Sequence, residues 1–153
     1  MKKILLVVVV IVLFAAQAFA AGSVTVTKYH SSKDGSQVVF KLACVGDASN
    51  GSIPATEITD PSNSNPYQNM GLYLYEVWTV TPASDEPDAA DIAITDAVGG
   101  TLYSEANVIS GTASTITSGT VPFFRQVNSK LTVTVSNQAT ASATYDIYIK
   151  LAK

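Results

Sequence analysis

Residues 143–151 read ATYDIYIKL, and this stretch indicates the fold class of the chain more clearly than any other. Apolar and polar residues alternate along it, with Tyr145, Ile147, Ile149 and Leu151 in one set and Asp146, Tyr148 and Lys150 in the other. A period of two places one set on each face of a β-strand, and β-branched and aromatic residues suit that pleated surface. We therefore expect a half-buried strand that pairs inside a sheet.

The same alternation recurs along the chain, in residues 24–27, 36–44, 72–80, 90–95 and 131–136. In residues 72–80 it places Trp78 on the aliphatic face and Val77 and Thr79 on the wet face. Asp34-Gly35 lies between two such runs and indicates a hairpin. The pattern predicts an all-β fold, a single antiparallel β-sandwich of about seven to nine strands, Ig-like or jelly-roll-like. A closed barrel is the alternative.

The N-terminal residues have the pattern of a secretory signal peptide. Lys2 and Lys3 precede an apolar run over residues 4–16, and Ala18-Phe19-Ala20 resembles a cleavage site. The run is short for a membrane span, which needs about 20 apolar residues. We predict a signal peptide at residues 1–20 and a β-sandwich domain at 21–153. The mature chain is then exported without inserting into the membrane, and it is secreted, periplasmic or at the cell surface.

Charge and cysteine content exclude several classes of protein. Nine basic and twelve acidic residues give a net charge of −3, and removal of Lys2 and Lys3 leaves about −5. The mature chain therefore lacks the basic footprint of nucleic-acid binding. Cys44 is the single cysteine and cannot form an internal disulfide. We expect it to be a buried small hydrophobe.

No catalytic constellation or cofactor motif is present in the sequence, so we predict that the protein is not an enzyme and binds no cofactor. His30 and Cys44 are too few for a zinc site. The acidic residues Asp85, Glu86, Asp88, Asp91 and Asp96 are weak candidates for calcium ligands. Their spacing differs from that of an EF-hand loop, and a solvated acidic loop is the alternative.

Three tyrosines are the candidate binding residues: Tyr73, Tyr75 and Tyr148. On the wet face of a sheet they could stack on sugar rings or form a protein interface. The alternative is cross-strand aromatic pairing that stabilises the sheet.

The order of strands over residues 71–151 resembles a known group of proteins. It is carried by GLYLYEVWTVTP at 71–82, ADIAITD at 90–96, KLTVTVSN at 130–137 and YDIYI at 145–149. These segments resemble small β-sandwich proteins of the structural loci of tailed phages and prophages, here with an added signal peptide. The resemblance implies an assembly component without enzymatic activity.

Two hypotheses of function follow. The first is an exported non-enzymatic subunit or accessory of an extracellular, envelope or phage-derived assembly, which binds a protein partner or itself. The alternative is a carbohydrate-binding module that uses the exposed tyrosines, with structural calcium near residues 85–96.

Overall fold

The structure, a computed structural model, describes residues 21–60, 65, 67–80, 90–98, 100–109 and 125–153, with the side chains of 107–109 excepted. These residues form strands and turns and contain no helix. The nine strands are β1 (Ser23–Ser31), β2 (Gln37–Val45), β3 (Thr56–Glu57), β4 (Tyr73–Val80), β5 (Ala90–Asp96), β6 (Gly100–Ile109), β7 (Arg125–Gln126), β8 (Leu131–Ser136) and β9 (Thr144–Ala152).

The strands form two antiparallel sheets. The five-stranded sheet has the order β1-β2-β9-β4-β7, and the four-stranded sheet has the order β3-β8-β5-β6. One hydrophobic core joins them, with Phe40, Leu42, Ile147 and Ile149 from the first sheet and Ile92, Ile94, Leu131 and Val133 from the second. Full burial stabilises each such side chain by about 1.5–3 kcal/mol. This arrangement confirms the predicted β-sandwich.

Strand β9 lies at the centre of the five-stranded sheet. It pairs with β2 from Gln37↔Ala152 to Val45↔Thr144, and on its other side with β4. Its four alternating apolar residues, Tyr145, Ile147, Ile149 and Leu151, are buried, as the period of two predicts. The expectation of a strand inside a sheet is therefore confirmed.

The Asp34-Gly35 turn joins β1 to β2 as predicted. Gly35 has a φ of 69°, in the left-handed region that glycine adopts without a steric cost. Asp34 Oδ1 accepts hydrogen bonds from the Ser36 amide at 3.1 Å and the Ser36 hydroxyl at 2.8 Å. Hydrogen bonds from the Ser32 and Ser36 side chains lower the pKa of Asp34 to about 2.

Strand β4 contains a β-bulge that the sequence pattern did not predict. The register against β9 shifts between Leu74 and Glu76, so Tyr75 is an extra residue. Because side chains alternate, one extra residue exchanges the two faces beyond it. Val77 and Thr79 are therefore buried, and Trp78 is half-buried on the outer surface. The prediction that Trp78 lies on the core side, with Val77 and Thr79 on the wet side, is wrong.

Across the part of the chain that the structure describes, no helical segment has the length and apolarity for a membrane crossing.

Candidate functional site

The outer surface of the five-stranded sheet carries an aromatic cluster, which we call the outer aromatic face: Tyr29, Tyr73, Tyr75, Trp78 and Tyr148. Trp78 on β4 and Tyr148 on β9 are register partners. Their rings are stacked, with centroids 4.9 Å apart and planes inclined by 4°. Tyr29 meets Tyr148 edge-on at 5.4 Å. A bulge between Lys28 and His30 lies at this point of β1. The stack is a cross-strand aromatic pair, which stabilises a sheet by about 0.5–1.5 kcal/mol beyond area burial.

Two ion pairs run across the outer aromatic face. Lys41 lies 2.8 Å from Asp146, and hydrogen bonding to Asp146 raises the pKa of the lysine. Lys150 lies 3.9 Å from Glu76, and its ammonium is 4.7 Å from the centre of the Tyr75 ring. The four side chains are partly exposed, and ion pairs near the surface contribute about 0–1 kcal/mol each. Their main consequence is that the charged groups on this face are already paired with one another.

The three predicted binding tyrosines differ in their surroundings. Tyr75 is 44% exposed, whereas Tyr73 and Tyr148 are half-buried, and Tyr148 is engaged by Trp78. Two members of the face are not among the binding residues predicted from the sequence. Trp78 was missed because of the bulge, and Tyr29, 64% exposed, was not singled out. The use of these tyrosines for binding stays a prediction.

Asp96 is a structural residue at the end of β5. It is buried, and its Oδ1 accepts a hydrogen bond from the Val98 amide at 2.8 Å. Its Oδ2 accepts from the amides of Asn128 at 2.5 Å and Ser129 at 3.1 Å. The carboxylate thus joins the turn after β5 to the segment that leads into β8.

The structure does not bring the predicted calcium candidates together where it describes them. Asp91 accepts a hydrogen bond from Asn137 Nδ2 and lies about 16 Å from Asp96 along the strand, on the opposite face. Asp85, Glu86 and Asp88 lie outside the described residues. Within the described ranges, no group of three or more His, Cys, Asp and Glu side chains could hold a metal ion.

Cys44 is buried in the core, as predicted. Its thiol lies 3.7 Å from the Leu42 carbonyl, to which it donates. Burial, with a smaller contribution from Asp146, raises the pKa of Cys44 to about 12. The thiolate, which is the nucleophilic form, is therefore scarce at neutral pH.

The first strand provides an edge of the five-stranded sheet. β1 is nine residues long, and β2 is its one partner strand among the residues that the structure describes. Residues 23–27 are regular, and the bulge that follows them interrupts the pairing. Val24 and Val26 face the core side but are only partly buried. This edge combines backbone hydrogen-bonding groups with half-exposed apolar side chains.

A search with protein-family models, with curated proteins and with solved structures finds no match to this chain. A function is therefore proposed from the surfaces described above.

Proposed function

We propose that the chain is an exported, non-enzymatic subunit or accessory of an extracellular, envelope or phage-derived assembly, and that it assembles through the β1 edge. The observation that carries this proposal is the regular segment 23–27 at the edge of the larger sheet. The export part of the proposal is supported by the sequence of residues 1–20.

Residues 23–27 read SVTVT and lack the features that natural sheets use to protect an edge. Such features are charged side chains, proline, bulges and very short strands. The first charged residue of β1 is Lys28, and its ammonium pairs with Asp60 at 2.8 Å. An unprotected edge of this kind can pair with another strand by main-chain hydrogen bonds.

The other long edge strand, β6, is less suited to such pairing. Its register against β5 is irregular at two places, between Ala90 and Ile92 and between Ile94 and Thr95. The Arg125 guanidinium donates a hydrogen bond to the Thr101 carbonyl at 2.7 Å and so occupies one backbone acceptor of β6. Strand β6 also carries Glu105, a charge that the segment 23–27 lacks. The comparison favours β1 as the assembly edge.

A second copy of the chain is the partner that fits β1. Antiparallel pairing about Thr25 places Thr25 opposite its counterpart and Val24 opposite the Val26 of the second copy. Such cross-strand pairs contribute about 0.2–1 kcal/mol each. The valines would complete their burial, and the two sheets would become continuous across a two-fold axis.

The expected association is weak for an isolated pair. A short strand edge buries much less than the about 1,200–2,000 Å² of a standard stable interface. Further contacts that hold two copies near each other in a larger assembly would raise their effective concentration and strengthen the pairing. Measurements in solution therefore need a high protein concentration.

The test is multi-angle light scattering after size-exclusion chromatography, on protein expressed from the full-length sequence and recovered after export. We expect dimers at high concentration, because the two-fold contact uses the β1 edge of both copies. Thr25→Lys places two like charges opposite each other and should give monomers, whereas Thr25→Glu mixed with Thr25→Lys should restore association. Thr134→Lys, an exposed threonine on the inner strand β8, is the matched control and should behave as wild type. A strictly monomeric wild type, or association unaffected by Thr25→Lys, would overturn the proposal.

A further inference from the structure

The most exposed side chains of the outer aromatic face are Tyr29, which is 64% exposed, and Tyr75, which is 44% exposed. Each of them is the extra residue of a β-bulge, Tyr29 in β1 and Tyr75 in β4. A bulge turns a side chain out of the regular alternation of a strand, and bulges are frequent next to functional sites. The two bulges therefore direct two tyrosines onto the same surface of the sheet.

The two bulges lie at nearly the same level of the sheet. Tyr29 lies beside the β1 residue that pairs with Val39, and Val39 pairs with Lys150 of β9. On the other side of β9, Tyr75 lies beside Glu76, which pairs with the same Lys150. Strands β2 and β9 separate β1 from β4, so three strand spacings of about 4.8 Å place the two tyrosine backbones about 14 Å apart across the sheet.

The stacked rings of Trp78 and Tyr148 lie beside this row and are engaged with each other. Tyr148 has one ring face against Trp78, at 4.9 Å, and Tyr29 meets its ring edge-on at 5.4 Å. Both stacked residues are half-buried. The stack therefore supports the surface, and Tyr29 and Tyr75 are the aromatic residues that offer a ligand the most accessible area.

The charged groups of the outer aromatic face balance each other. Lys41 pairs with Asp146 at 2.8 Å, and Lys150 pairs with Glu76 at 3.9 Å. An anionic ligand would have to displace one of these carboxylates from its lysine, and exchange of one surface ion pair for another changes the free energy little. Hydroxyl groups can accept hydrogen bonds from the lysines and donate to the carboxylates while both pairs remain. The face therefore favours a neutral ligand that carries hydroxyl groups.

We propose that the outer aromatic face binds a neutral oligosaccharide, which crosses the strands from Tyr29 to Tyr75. The apolar faces of two sugar rings pack on the two tyrosine rings, and hydroxyl groups between them bond to Lys150 and Glu76. A single sugar ring is much shorter than the distance of about 14 Å between the tyrosines, so it contacts only one of them. On a longer chain the second contact becomes intramolecular and strengthens the first.

Oligosaccharide binding goes beyond the proposed assembly and does not depend on it. Assembly uses the backbone edge of residues 23–27, whereas the oligosaccharide lies on the outer surface of the sheet. Thr25→Lys, which should abolish association, should therefore leave oligosaccharide binding unchanged. Light scattering measures association and calorimetry measures ligand binding, so failure of one proposal is distinguishable from failure of the other.

The test is isothermal titration calorimetry of the exported full-length product with cellotetraose, xylotetraose, mannotetraose, chitotetraose and maltotetraose. The corresponding monosaccharides and oligogalacturonate, which is anionic, are the comparison ligands. At least one tetrasaccharide should bind, and it should bind more tightly than its monosaccharide and than oligogalacturonate. Tyr29→Ala and Tyr75→Ala should each weaken this binding about tenfold, the equivalent of about 1.4 kcal/mol, because each removes one of the two ring contacts. Tyr29→Phe and Tyr75→Phe retain the rings and should bind nearly as tightly as wild type.

The matched control is Tyr67→Ala. Tyr67 is 50% exposed but lies in the turn that precedes β4, outside the outer aromatic face. Its replacement should leave oligosaccharide binding unchanged, and thermal melting without ligand verifies that each variant is folded. The proposal is overturned if no tetrasaccharide binds, which would leave a protein as the partner of this face. It is also overturned if monosaccharides bind as tightly as tetrasaccharides, or if Tyr29→Ala and Tyr75→Ala bind like wild type.

Discussion

Replacement of Asp96 by alanine is expected to destabilise the fold by about 3 kcal/mol, because three backbone amides lose a charged acceptor. The amides of Val98 and Asn128 belong to exposed residues, so water can replace the carboxylate there. The amide of Ser129 belongs to a buried residue and loses its acceptor without a substitute. Asp96→Asn retains one acceptor oxygen but directs its own N–H group towards a backbone amide donor. We expect this variant to lower the free energy of unfolding by about 1.5–2 kcal/mol.

Equilibrium unfolding in urea measures these changes. With a slope of about 2 kcal/mol/M, a loss of about 3 kcal/mol lowers the unfolding midpoint by about 1.5 M. Asp91→Ala removes a carboxylate from the other end of the same strand, at a half-exposed position, and should cost less than about 1 kcal/mol. If Asp96→Ala costs no more than Asp91→Ala, then the carboxylate does not hold the β5 turn to the segment before β8, and the reasoning is refuted.

Two further predictions concern the core and the turns. Cys44 should resist iodoacetamide in the folded protein and react only on unfolding, because burial raises the pKa of the thiol to about 12 and few thiolates form. Mass spectrometry measures the rate of labelling with and without urea. Equal rates under the two conditions would contradict this prediction. Gly51→Ala should cost about 1–3 kcal/mol more than Gly35→Ala in thermal or urea unfolding. Both glycines have positive φ, but a Cβ at Gly51 would lie 2.6 Å from the Thr140 carbonyl oxygen, whereas at Gly35 it meets nothing within 4 Å. Equal losses for the two variants would show that the close approach at Gly51 is absent.

The features that could be predicted from the sequence are those with a local cause. The alternation in residues 143–151 predicts a strand because side chains on a pleated backbone repeat every two residues. Asp34-Gly35 predicts a hairpin turn because glycine adopts the left-handed conformation freely. The bulge at Tyr75 has no such local cause, since it is defined by the register against β9. Strands β3 and β7 have two residues each, so their existence depends on their partners.

The candidate sites show the same division. Tyr75 and Tyr148 could be assigned to an outer surface by alternation alone. The ion pair between Lys28 and Asp60 could not be predicted from sequence, because the two residues are 32 positions apart. The position of Lys28 in the sequence nevertheless indicates that it has an acidic partner. Lys28 continues the apolar face of Val24 and Val26, and a lysine on such a face predicts a buried acidic partner.

The central position of β9 has a consequence for the timing of folding. β9 is the last of the described strands along the chain, yet β2 and β4 both pair with it and lie on opposite sides of it. The larger sheet therefore cannot close before residues 144–152 have been synthesised, because they form its middle strand. Contacts so distant in sequence also form slowly. For a chain that is exported as proposed, this dependence keeps the larger sheet open until β9 is made, and an unfolded chain is the state that passes through a secretion channel.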